Sequence, residues 1–184
     1  MSPLEQVVFL LVSVMSVLNL SVADVPQLMQ VQGNCYSEEL VESAAVMAER
    51  ISGFSQTCWG YFIGEQMAGY LLAYPSIPGR IAPLATAFPR YEQASCLYLH
   101  DMAISSEFRG QSLAPKLLAH ARAEARRMGL DALALVAVQG ADLYWAKQGF
   151  SQVVTLTAEQ QASLDTYLPE IASYMQCSLT ETQC

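Results

Sequence analysis

Histidine, basic residues and paired cysteines are scarce in this chain. Its 184 residues include two histidines and nine Lys and Arg, against 17 Asp and Glu. The five cysteines, Cys35, Cys58, Cys96, Cys177 and Cys184, are odd in number and dispersed, with no Cys-x-x-Cys pair. That pattern speaks against a structural zinc site, so no metal is expected, and reduced thiols in a cytoplasmic protein are the simpler reading. The net charge of −8 argues against affinity for nucleic acid or an acidic membrane surface and favours cationic partners. No Gly-x-Gly-x-x-Gly occurs early in the chain, which removes a dinucleotide-binding fold. The apolar run Val7 to Val14 is too short to span a bilayer, and no basic residue precedes Arg50, as a secretory signal would require.

What is abundant is apolar sequence. A hydrophobic content of 53% over this length predicts one well-buried domain. We take residues 15–184 as that domain, and residues 1–14 as an upstream extension or a packed extra segment. There are no internal repeats or low-complexity tracts.

The organising stretch is Leu97 to Leu118: an apolar run with β character, a short polar turn, then an amphipathic helix opening Arg-Gly-Gln-Ser-Leu-Ala. A helix start leaves backbone N–H groups without partners and carries the positive end of the helix dipole, which suits an anion. Gly110 allows close backbone approach, Ser112 and Ala114 are small, and Pro115 tolerates the first turn. Arg109 adds a fixed charge. Six of the nine basic residues, Arg109, Lys116, Arg122, Arg126, Arg127 and Lys147, fall between this turn and residue 150. Of these, Arg122, Arg126 and Arg127 read as a solvated helix face with Glu124.

This stretch resembles motif A of the GNAT superfamily of acyl-CoA N-acyltransferases, with Arg109 in its first position, Ser112 where glycine is usual and Ala114 in the last. Leu133 to Phe150, ending Leu-Tyr-Trp-Ala-Lys-Gln-Gly-Phe, resembles the following strand and motif B. The resemblance implies an α/β (α+β) fold: a central mixed, mostly antiparallel sheet flanked by helices and splayed at the acetyl-CoA site. It implies coenzyme A held by Arg109, Gly110, Gln111, Ser112, Leu113, Ala114, Pro115 and Lys147, and by the free backbone N–H groups of Met102, Ala103 and Ile104.

Along the chain, Val17–Val22 is the first expected strand, followed by a helix capped at Asp24 and a second helix from Ser37 to about Arg50. In the GNAT fold these helices flank the acceptor, which makes Tyr36, Glu38, Glu39 and Glu42 candidates for an amine. Thr57–Ile63 and Gln66–Tyr74 form a hairpin around Gly64-Glu65. Pro75–Gln93 is a long proline-bearing loop, with Phe88, Arg90 and Tyr91 as substrate-contact candidates. Ser95–Ile104 is the central strand, Ala114–Met128 a helix, and Leu133–Val138 a strand covered on both faces. A short helix from Ala141 to Lys147, a strand Phe150–Leu156, a helix opened by a Thr157/Gln160 capping box and a strand Ser173–Leu179 complete the chain.

The reaction implied by the resemblance is direct attack of an amine on an acyl-CoA thioester. It needs a neutral amine, stabilisation of the developing oxyanion and a proton for the thiolate. For the base, His100 stands out, since histidine titrates near neutrality. Tyr-Leu-His-Asp-Met-Ala-Ile is similar to the equivalent strand of arylalkylamine N-acetyltransferases. Alternation places Tyr98 and His100 on one strand face and Asp101 on the other; a buried, hydrogen-bonded strand histidine remains the competing role. The family's usual tyrosine position holds Trp145, for which we expect packing, and Tyr144 precedes it by one residue. Either Tyr144 or water supplies the proton. His120, mid-helix, is expected to be structural. The expected acceptor is a small cationic primary amine, with a protein N-terminus or lysine, or CoA binding without turnover, as alternatives. A homodimer is compatible with the sequence.

Overall fold

The computed structural model describes residues 15–180; residues 1–14 and 181–184, Cys184 among them, lie outside it. Seven strands form one sheet in the order β1-β2-β3-β4-β5-β7-β6. They are β1 (Met15–Asn19), β2 (Cys58–Ile63), β3 (Gln66–Ser76), β4 (Cys96–Ile104), β5 (Ala132–Ala137), β6 (Ser151–Gln152) and β7 (Ser173–Ser178). All neighbouring pairs are antiparallel except β4 and β5. Among the described residues five helices cover it: α1 (Val25–Gly33), α2 (Ala44–Phe54), α3 (Leu113–Arg127), α4 (Asp142–Lys147) and α5 (Ala158–Asp165).

The sheet divides the core in two. Leu28, Val31, Met47 and Ile51 from α1 and α2 meet Tyr70, Leu72, Tyr74 and Tyr98 on one face. Leu113, Leu117, Leu118, Ala121 and Ala125 of α3 meet Leu71, Leu97, Leu99, Leu133 and Leu135 on the other. The i, i+4, i+8 spacing along α3 is what buries one face while Arg126 and Arg127 stay exposed. The capping box expected at Thr157 and Gln160 is present.

Three expectations are corrected. The second helix starts at Ala44, capped by Ser43, and not at Ser37. Buried Gln32 clamps the Glu42 backbone, accepting from its N–H at 2.8 Å and donating to its carbonyl at 3.1 Å. Those bonds hold the segment 37–43 out of helical register. The strand expected over Phe150–Leu156 shrinks to Ser151–Gln152, with one further ladder bond from Val153 to Tyr174.

The third correction is at the centre of the sheet. Leu72 pairs with Asp101 but Ala73 pairs with Leu99, so His100 is an extra residue in β4. Paired residues share a face. Asp101 and Ala103 therefore lie on the Tyr98 side with Leu72 and Tyr70, and Asp101 does not point away as strict alternation required.

Candidate functional site

The parallel pairing of β4 with β5 runs from Cys96↔Ala132 to Leu99↔Leu135 and stops there. Beyond the bulge the two strands diverge. The opening is a cleft of about 540 Å³ bordered by His100 to Ile104 on one side and Leu135, Val136 and Val138 on the other.

Backbone groups face into this gap. Ser105 donates to Ala68 across the β3 side, so alternation sends the N–H of Ala103 to the β3 side, toward its partner Tyr70. The groups of Met102 and Ile104 turn the other way. Their carbonyls are taken up by the Tyr36 hydroxyl at 2.9 Å and the Cys35 thiol at 3.1 Å. Of the three N–H groups expected at the open edge, those of Met102 and Ile104 are there, and that of Ala103 belongs to the ladder.

Arg109 lines the same cleft. It follows a short 3-10 turn over Ser106–Phe108 and precedes Gly110 and Ser112, both in left-handed backbone conformation with φ of 79° and 58°. Gly110, Gln111 and Ser112 are exposed, Leu113 is buried at the start of α3, and Ala114 and Pro115 follow in its first turn. A Cβ on Gly110 would meet nothing within 4 Å, so the peptide plane is open to an incoming group. A turn of this kind at a helix start, beside Arg109 and next to the splay, suits an anion. Lys147 is exposed at the end of α4 and does not line the cleft.

The α1/α2 side of the cleft is polar and buried. Glu42, at the clamped position before α2, receives both terminal nitrogens of Arg50 at 2.5 and 2.6 Å, the Ala85 N–H at 2.8 Å and Nε2 of His100 at 3.2 Å. Burial works to raise its carboxyl, but the hydrogen bonds and charges of His100 and Arg50 prevail and hold it at about 2. Arg50 also donates to the Thr86 carbonyl, and its guanidinium lies over Phe88. Phe88 packs edge-on to His100 at 5.2 Å.

Asp101 is buried at 8% exposure and accepts 2.7 Å hydrogen bonds from Tyr36 and Tyr70. Burial raises its carboxyl above the ordinary range in spite of those bonds. Opposite, Tyr144 lines the cleft from α4 with its hydroxyl buried and without a partner, and desolvation raises it further. Trp145 packs edge-on against Phe150 at 5.3 Å.

The remaining candidates disperse. Tyr36 and Glu42 line the cleft, whereas Glu38 and Glu39 do not. Arg90 lies over Phe54 and bonds the Gly53 carbonyl. Tyr91 borders a separate groove beside α5. His120 stands edge-on to Trp59. Sequence reasoning missed Arg50 and Asp101. Arg50 carried a signal, since Met47, Arg50 and Ile51 share the apolar face of α2, where an arginine needs a buried anion. Among the described residues no cluster of three or more His, Cys, Asp or Glu is placed to hold a metal ion, and no helix is long and apolar enough to cross a membrane.

The site is thus a sheet splayed at a bulge, beside a turn and helix start that carry Arg109. The chain belongs to the acetyltransferase (GNAT) family, whose family model matches residues 25–150. No curated protein matches it in sequence. Solved structures share its fold. The loading GNATL domain of CurA from Lyngbya majuscula superposes with a TM-score of 0.71 at 12% identity, covering 90% of this chain and 98% of that one. The GphF GNAT-like decarboxylase in complex with isobutyryl-CoA gives 0.70 at 15% identity, over 89% and 99%. The PaiA N-acetyltransferase of Thermoplasma acidophilum in complex with coenzyme A gives 0.64 at 14% identity, over 90% and 99%.

Proposed function

We propose that this chain is an acetyl-CoA-dependent N-acetyltransferase that acetylates a primary amine of a small molecule, such as an arylalkylamine or a polyamine. The observation that carries the proposal is the splay itself: it leaves the Met102 and Ile104 N–H groups beside a cleft that Tyr144 also lines. Coenzyme A, bound by two of the structurally similar proteins, would supply the thioester. Its pyrophosphate suits Arg109 and the Gly110–Leu113 turn, and its acyl carbonyl suits the two N–H groups. Those donors stabilise the negative charge that develops on the carbonyl oxygen. His100 takes the proton from the amine, and Tyr144 returns one to the departing thiolate.

A small acceptor fits better than a polypeptide. The far end of the cleft is bordered by Leu40, Leu84 and Tyr167. The segment before α2 and the segment after α5 are tied by the Ser37 to Glu170 hydrogen bond, 3.1 Å long. Tyr167 is anchored in turn to the Ala82 carbonyl at 2.9 Å.

The test is CoA release from acetyl-CoA against arylalkylamines, polyamines, amino acids and short peptides. Turnover confined to small amines supports the proposal. Turnover with peptides alone replaces the acceptor class, and failure to bind acetyl-CoA removes the proposal altogether.

A further inference from the structure

β1 is one edge of the sheet, and among the described residues no strand pairs with its outer side. An open edge offers a row of unpaired backbone N–H and C=O groups, and proteins ordinarily blunt it with lysine, proline, a bulge or inward-pointing charge. β1 has none of these. It reads Met-Ser-Val-Leu-Asn and pairs with β2 in unbroken register from Met15 to Asn19. Met15 and Leu18 are each 52% exposed, and Val22 in the turn that follows is 49% exposed. The chain carries a net charge of −8, yet no charged residue occurs from Gln6 to Ala23. Asp24, the next one, is taken up by the Ser21 N–H and hydroxyl, both at 2.8 Å.

The direction of the free groups follows from the ladder. Leu20 donates its N–H to the Cys58 carbonyl at 2.8 Å. Alternation therefore turns the backbone groups of Leu18 and Ser16 toward β2 and those of Asn19, Val17 and Met15 outward. The outward residues are spaced evenly about Val17. A second β1 running antiparallel, related by a two-fold axis at Val17, sets Val17 opposite Val17 and Met15 opposite Asn19 on either side of it. Each of these pairs exchanges two hydrogen bonds, and every outward donor meets an outward acceptor. Ser16 then opposes Leu18, and the two Leu18 side chains become diagonal neighbours about 7–8 Å apart, a separation that long side chains span. The neutral stretch meets its own copy, so the contact sets no like charges of β1 against each other.

The opposite edge of the sheet offers no such match. β6 is only Ser151–Gln152, and β1 of one copy laid on β6 of another would be a head-to-tail contact that propagates instead of closing.

We propose that the outer edge of β1 is a dimerisation surface, and that its occupant is β1 of a second copy of this chain, giving one continuous sheet through both subunits. The contact uses one short strand from each copy, which places it at the small end of specific interfaces and its dissociation constant in the micromolar range. β2 and β3 lie between β1 and β4, so the surface is separate from the cleft and the inference stands whatever chemistry the cleft performs.

The experiment is light scattering of the full chain through a concentration series that brackets the micromolar range, with amide hydrogen exchange followed by NMR in the same series. The expected result is a shift from one copy to two, accompanied by slowing of the Val17 and Asn19 amides. The Leu18 amide, bonded to β2, should be slow at every concentration. Val17→Pro removes the central outward N–H without costing a β2 ladder bond, and should leave a single copy throughout. Leu18→Lys, at an exposed position, sets like charges on the diagonal and should weaken the dimer at least about tenfold. A mass of one copy across the wild-type series overturns the proposal. So does a dimer that leaves the Val17 and Asn19 amides exchanging freely, which puts the contact elsewhere, or one that Leu18→Lys does not weaken. Val17 and Asn19 amides already protected in the single copy would make residues 1–14 the occupant of the edge and overturn it too. The wild-type exchange series decides even where Val17→Pro does not fold.

Discussion

Nε2 of His100 lies 3.2 Å from Oε2 of Glu42, in a pocket where their side chains are 2% and 4% exposed. The same carboxylate bonds both terminal nitrogens of Arg50, so one acid joins α2, the long loop and β4. Breaking such a network by removing one partner leaves the others buried and unsatisfied. Glu42→Gln should cost about 3–5 kcal/mol of stability in urea unfolding. The double variant Glu42→Gln with Arg50→Met should recover a large part of that loss, because the stranded charge is gone. The pH dependence follows from the carboxyl being held at about 2 against an ordinary 4.5. Its stabilisation is complete above the unfolded value and is lost as pH falls through the folded one. Wild-type stability should therefore drop more steeply below pH 4.5 than that of Glu42→Gln; parallel acid profiles would contradict this.

The sequence disclosed the parts of this site that depend on local chain chemistry. The polar turn and helix opening from Arg109 to Pro115, the central apolar strands β4 and β5 and the capping box at Thr157 are all written in consecutive residues, and each formed within a residue or two of its expected bounds. The bulge at His100 depends on how β3 and β4 register over many residues, and no local pattern marks it. The helix start was misplaced because Gln32, distant in sequence, fixes the Glu42 backbone. Contacts and register set beyond the local pattern thus account for what sequence periodicity missed: the start of α2 and the facing of Asp101.

Arg109 and Ser112 test the anion site from opposite directions. Arg109 is exposed and lines the cleft, so Arg109→Ala removes charge without disturbing packing. It should raise KM for acetyl-CoA about tenfold and leave kcat within about twofold, as expected for uniform binding lost with one charged contact. Ser112 adopts φ of 58° and its side chain makes no cap bond to α3. Ser112→Gly should stabilise the fold by about 0.5–1 kcal/mol through relief of left-handed strain, with acetyl-CoA binding retained. A Ser112→Gly variant that loses CoA affinity would assign the hydroxyl a direct role in binding.

Gly69 governs the strand that carries the site. A Cβ there would sit 2.5 Å from Ile104 Cδ1 and 2.8 Å from the Ala103 carbonyl oxygen. The first contact can yield by rotation; the second is backbone and cannot. Gly69→Ala should push β4 away from β3 at the end that borders the cleft. The expected cost is about 1–3 kcal/mol, read by thermal unfolding. Activity should fall further than stability predicts, because Met102 and Ile104 shift with the strand.

Tyr144 offers the sharpest separation of stability from function. Its hydroxyl is buried without a partner, and an unsatisfied polar group opposes folding. Tyr144→Phe deletes that group while keeping the ring that packs edge-on to Trp145 at 5.2 Å. The variant should be as stable as wild type or more stable by about 1 kcal/mol. If the hydroxyl gives its proton to the departing thiolate, kcat should fall by about 10²-fold with KM for both substrates little changed. Because burial raises the phenol, it stays protonated throughout the neutral range, and the wild-type rate should show no loss from this group there. Full activity in Tyr144→Phe would pass the proton to water, and a fall in stability would mean that the hydroxyl is bonded in solution.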